Sequence, residues 1–113
     1  MQTPAGETSS TGLDANLAAG LAYLAGFVTG IVLLVIEKKS RFVRFHAMQS
    51  TVFFVAVLVV SVMLNSIPLL GAFLYAFLLF PAVVIIWLVL MFKAYNGEHF
   101  KLPVAGDFAE KQI

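Results

Sequence analysis

His46, Gln49 and Ser50 place an imidazole, an amide and a hydroxyl within five residues of one another. On a helix these positions share one side. Phe53, Val57 and Ser61 continue that side, so the polar groups form one end of an otherwise apolar stripe. A histidine can act as a proton-sensitive switch or meet a partner. A histidine at a membrane interface can also bond a neighbouring helix and hold its register, and this structural role is the expected one. His46, His99, Glu37 and Glu98 are metal ligands by type, but they come from separate segments and lack the spacing of an H-E-x-x-H pair. No metal site is expected. Arg41 and Arg44 suit lipid phosphates, which a forked guanidinium matches; the rival is an acidic cytoplasmic partner. Trp87, Tyr95, Phe92 and Tyr23 read as packing and belt aromatics. There is no Ser–His–Asp array, phosphate loop or paired carboxylate, and the absence of cysteine excludes thiol chemistry and disulfides. The expectation is therefore no catalytic residue, no cofactor and no enzymatic activity.

The elements that carry these residues are set by the bilayer. The stretch Leu17 to Ile36 carries no charge and stops at Glu37-Lys38-Lys39. A hydrocarbon core about 30 Å thick needs roughly 20 apolar residues. Charged residues are 12% of the 113-residue chain and hydrophobic ones 61%, against about 25% charged in a soluble domain. The first apolar run is not a signal peptide, because it is too long and no Lys or Arg precedes it.

Three spans are predicted, in one all-α polytopic membrane domain. Helix 1 is expected from Ala15 to Ile36 with Asp14 as N-cap. Helix 2 starts near Arg41 after Ser40 and runs to Leu64. Asn65-Ser66-Ile67-Pro68 makes a tight connection, and helix 3 runs from Leu70 to Asn96 with Gly97 at its C-cap. Pro81 cannot donate to the carbonyl of Phe77, so a kink is expected there; a re-entrant pair split at Pro81 is the rival to a single span. Ala18, Ala22, Gly26 and Gly30 recur every four residues on helix 1, a small-residue face on which another helix can pack. Residues 1–14 read as a disordered polar tail, residues 15–97 as the membrane domain, and residues 98–113 as an interfacial C-terminal tail in which Asp107 caps a last turn. All seven Lys and Arg fall in the first loop or on the C-terminal side of the last span, which predicts an outside N-terminus and an inside C-terminus.

The segment Phe42 to Ser50, FVRFHAMQS, follows a helix containing YLAGFVTG, and KAYNGEHFKLPVAGDFAEK follows the last span. Together they resemble a widespread family of small prokaryotic membrane proteins of unknown function, over Asn16 to Lys111. The chain is similar, more distantly, to the chloroplast inner-envelope import component of the Tic-twenty type. It also resembles magnetosome membrane proteins that influence crystal size, which carry a YFHAKQG version of the motif. The resemblance implies a prokaryotic inner-membrane protein and supplies no catalytic residues.

No Asp, Glu, Lys, Arg or His falls in the middle of any predicted span, where a coupled transporter usually needs one. The expected function is a non-enzymatic membrane scaffold or accessory subunit. Its partners would be membrane lipids and either further copies of itself or a larger membrane complex, with no nucleic acid. The alternative is a homo-oligomeric channel or protein-translocation component, which the import-component resemblance implies.

Overall fold

In a computed structural model, residues 7–112 are described, Phe27 by its backbone alone. Five helices follow one another: α1 (Ala15–Leu21), α2 (Phe27–Ile36), α3 (Arg41–Asn65), α4 (Leu70–Tyr95) and α5 (Ala105–Gln112). The described residues contain helices and no strand longer than an isolated bridge between Thr8 and Asp14. Two helices, α3 and α4, are long and apolar enough to cross a membrane. With 25 and 26 residues they reach about 37 and 39 Å.

The predicted first span is not one helix. It breaks at residues 22–26, where Gly26 takes φ 64° and ψ −135°, a backbone region essentially reserved for glycine. The chain then turns back. Entering, Asn16 lies against Gly97, Gly20 against Tyr95 and Met91, and the Tyr23 carbonyl against Trp87. Leaving, Gly26 lies against Phe54, Gly30 against Ala47 and Thr51, and the carbonyls of Leu34 and Glu37 against Arg44. Because α3 and α4 are antiparallel, the two limbs start and finish at the same end of the molecule. The three-span architecture is thus corrected to two candidate spans and a pair of short helices that turns back on itself, called the re-entrant pair below. The length and apolarity of Leu17 to Ile36 suit a span, but they suit two short limbs against larger helices equally well.

Residues 7–14, grouped by composition with the polar tail, form a turn seated on the α2–α3 loop. The Ser10 amide donates to both Glu37 carboxylate oxygens at 3.0 and 2.8 Å, and Ser40 Oγ donates to Glu7 at 2.8 Å. The expectation of disorder fails here because the loop offers buried acceptors that these backbone donors satisfy. The part of that expectation covering residues 1–6 lies outside the described residues. The described N-terminal residues, the α2–α3 loop and the C-terminal segment therefore share one end, called proximal below. The opposite ends that three spans would give to these segments are not what the structure shows.

Asp14 and Ser40 cap α1 and α3 through their side chains, accepting from Asn16 and Val43. Ahead of Pro81, α4 carries a π-helical turn at Tyr75–Leu79. The irregularity at this proline is a local widening of the helix rather than a break. The turn between the spans is tight: a Cβ placed on Gly71 would lie 1.6 Å from the Leu64 carbonyl oxygen. A buried apolar cluster sits at the proximal end, built from Ala15, Ala18, Ala19, Tyr23, Phe42, Val43, Leu90 and Ala94. The distal halves of α3 and α4 are largely exposed.

Candidate functional site

The polar cluster forms where the re-entrant turn, α3 and the C-terminal segment meet. His46, Gln49 and Ser50 are fully buried, and so is Tyr23 at the turn. Tyr23 Oη lies 2.6 Å from His46 Nδ1, and Gln49 Nε2 donates to the same hydroxyl at 2.9 Å. His46 Nε2 faces the Glu98 carbonyl at 2.9 Å. A carbonyl only accepts, so Nε2 carries the proton and Nδ1 accepts from Tyr23. The chain of donors then runs in one direction: Gln49 to Tyr23, Tyr23 to His46, His46 to Glu98. Gln49 also donates to the Phe100 carbonyl at 2.9 Å and accepts from the Leu102 amide at 2.8 Å. Two side chains, His46 and Gln49, thereby fasten the extended segment 98–102 to α3 through three bonds.

A second set of bonds satisfies the re-entrant turn itself. Backbone groups freed from a helix inside a membrane need protein partners. Ser50 Oγ donates to the Gly26 carbonyl and Thr29 Oγ1 to the Ala22 carbonyl, each at 3.1 Å. Thr29 Oγ1 also accepts from the Ala25 amide at 3.1 Å. Trp87 Nε1 donates to the Tyr23 carbonyl. The residues taken as aromatic packing, Tyr23 and Trp87, therefore carry specific polar bonds. Thr29, three residues after Gly26, was the sequence signal for a turn within the apolar run.

The small residues occupy this same region. Ala18 and Ala22 are fully buried, and the added Cβ of Gly30 would meet Thr51 Oγ1 at 2.8 Å and the Ala47 carbonyl at 2.9 Å. Ala18 lies in α1, Ala22 and Gly26 in the turn, and Gly30 in α2. Their four-residue spacing does not make one continuous stripe, because the helix is interrupted between them. They are used within the chain, against α3 and α4.

At the proximal rim, Glu37 is fully buried and accepts from Ser10, Lys39 and Ser40 amides. Burial pushes its carboxyl up, but these hydrogen bonds outweigh that and hold it below its ordinary value. Arg44 donates to the carbonyls of Leu34 and Glu37 at 3.1 and 2.8 Å, closing the C-terminus of α2. Arg41 is exposed. His99 stacks on Phe45 with ring centroids 3.8 Å apart and pairs with Glu110 at 3.1 Å. Burial holds its imidazole below the ordinary value against the pull of Glu110. Glu98 pairs with Lys93 at 3.3 Å. Among the described residues no three His, Cys, Asp or Glu side chains converge as a metal site. An apolar groove of about 500 Å³ lies between α1 and α4, lined by Leu17, Gly20, Leu88 and Tyr95.

A family model covers residues 10–109, which include every residue of this cluster. The chain belongs to the magnetosome magnetite crystal formation protein family. It is 50% identical over 102 residues to a UPF0132 membrane protein of Archaeoglobus fulgidus, spanning 87% of this chain and 94% of that protein. A UPF0132 membrane protein of Methanocaldococcus jannaschii is 47% identical over 103 residues, with 91% and 92% covered. A second from that organism is 41% identical over 100 residues, with 88% and 71% covered. No solved structure matches the chain. The family is one of small membrane proteins of unknown function, and this chain is a membrane protein of that kind.

Proposed function

We propose that the protein is a non-enzymatic membrane scaffold or accessory subunit, which associates with further copies or with a larger membrane complex. The observation that carries this reading is how the polar cluster is spent. Tyr23, His46, Gln49, Ser50, Thr29 and Trp87 all bond groups of the same chain, so they hold a shape. The exposed apolar halves of α3 and α4 offer the surface for association, with Val59, Val62, Phe73, Phe77 and Ile85 all outward. Dispersion contacts, not water exclusion, would drive pairing there. All seven Lys and Arg lie at the proximal end, which by the positive-inside rule is the cytoplasmic end of an inner-membrane protein.

The test is gentle detergent extraction from the native membrane, followed by native mass measurement and identification of what co-elutes. The reading predicts a homo-oligomer or a defined complex; a bare monomer would contradict it. The second reading is a homo-oligomeric channel or translocation component, to which the resemblance to the chloroplast import component points. Ion or peptide flux through the purified protein in sealed vesicles would favour it over the scaffold.

A further inference from the structure

The re-entrant pair loads one side of the molecule. At the proximal end α1 and α2 lie beside α3 and α4, so four helices share the cross-section. Beyond Phe54 and Trp87, where the turn ends, only two remain. The limbs are immersed in lipid rather than standing above it. No charge occurs from Leu17 to Ile36, and Val28, Val32, Val35 and Ile36 of α2 are exposed at 55%, 51%, 63% and 47%. An outward apolar face of that extent needs an apolar surrounding, which acyl chains supply in a membrane protein. Their depth is limited: α1 and α2 have 7 and 10 residues, or about 10 and 15 Å, roughly a third to a half of a core about 30 Å thick. Each limb is about 10 Å wide, so the pair displaces roughly 150 to 200 Å² more lipid area in one leaflet than in the other.

The wedge is braced. The limbs are tied to α3 and α4 by the Ser50, Trp87 and Tyr23 bonds and by the buried alanines. The proximal rim is widened further by α5, which packs on α3 through Gly106 and Ala109 while Phe108 remains outward.

We propose that the protein is a curvature-selective membrane wedge, which concentrates where the leaflet holding its proximal end is convex. A convex leaflet has spare area at the level of its headgroups and upper chains, which the four-helix half fills. The concave leaflet is crowded and accepts the two-helix half. The ligand is therefore a lipid surface of defined sign of curvature. With the basic end inside, this is a membrane bulging toward the cytoplasm.

The chain has no cysteine, so Gln112→Cys gives a single dye at the exposed proximal end. The labelled full-length protein is reconstituted into giant phosphatidylcholine–phosphatidylglycerol vesicles, from which a narrow membrane tube is drawn outward. The tube's outer leaflet is convex. An impermeant quencher added outside silences copies whose proximal end faces out, so the two orientations are read separately in one vesicle. The proposal predicts that outward copies are enriched several-fold in the tube, that inward copies are depleted, and that both trends steepen as tension narrows the tube. Equal partition of the two orientations, or a ratio independent of tube radius, would overturn it. Oligomerisation or thickness matching moves both orientations alike and so cannot imitate the opposed result.

Discussion

At the scale of single residues the structure turns on Tyr23, which connects Gln49 and His46 through one hydroxyl. Tyr23→Phe removes that hydroxyl and leaves two buried polar groups short of a partner. A loss of about 1 to 3 kcal/mol is expected, seen as a lower Tm in detergent with the helix content of the folded protein unchanged. His46→Leu breaks the bond to the Glu98 carbonyl as well and should expose segment 98–112 to limited proteolysis. His46→Gln, which retains a donor and an acceptor, should restore much of the protection. Glu37 adds a pH dependence. Its folded-state carboxyl is held below its ordinary value of 4.5, so its contribution is complete above that value. It is lost as pH falls through the lowered folded value. Acid melting curves should therefore steepen below about pH 4.5, and Glu37→Gln should flatten that limb. The polarity of the His46 stripe was legible in the sequence, because a polar group in a membrane must face protein. Its partners were not legible: three of its bonds go to backbone carbonyls, at Glu98, Phe100 and Gly26, and a carbonyl has no residue signature.

At the scale of elements, the other caps and the two long helices follow directly from sequence, whereas Asp107, expected to cap the last turn, lies within the first turn of α5. Asp14, Ser40 and Gly97 stand at helix ends, and α3 and α4 have the length and hydropathy of spans. The break in the first apolar run did not follow, because mean hydropathy averages over Thr29, the polar side chain beside the turn, and the run as a whole stays apolar enough for a span. What decides it is backbone geometry at Gly26 and the side chains that reach its turn from Ser50, Thr29 and Trp87. Gly26→Ala is expected to destabilise the re-entrant pair, since φ 64° with ψ −135° costs an L-residue on the order of 1 to 3 kcal/mol. Hydrogen exchange should rise in residues 15–36 while α3 and α4 keep their protection. Gly71→Ala acts elsewhere: its Cβ would meet backbone at the Leu64 carbonyl, which cannot swing aside as a side chain does. It should splay the distal turn, lowering Tm and raising protease access at residues 66–69, with the proximal cluster intact.

At the scale of the whole molecule, the described residues make an elongated body of 50 × 22 × 21 Å, thick in polar contacts at one end and bare at the other. The asymmetry follows from where the chain reverses, and it underlies both the scaffold reading and the wedge. Its most direct test is the side of the membrane on which the chain's ends lie. Single-cysteine variants Thr11→Cys, Lys38→Cys, Gln112→Cys and Ser66→Cys, each at an exposed position of a cysteine-free chain, can be labelled in sealed oriented membranes with an impermeant maleimide. Two spans and a re-entrant pair predict that Thr11, Lys38 and Gln112 react from the same side and Ser66 from the other. Labelling of Thr11 from the side that reaches Ser66 would contradict the re-entrant pair and restore three spans.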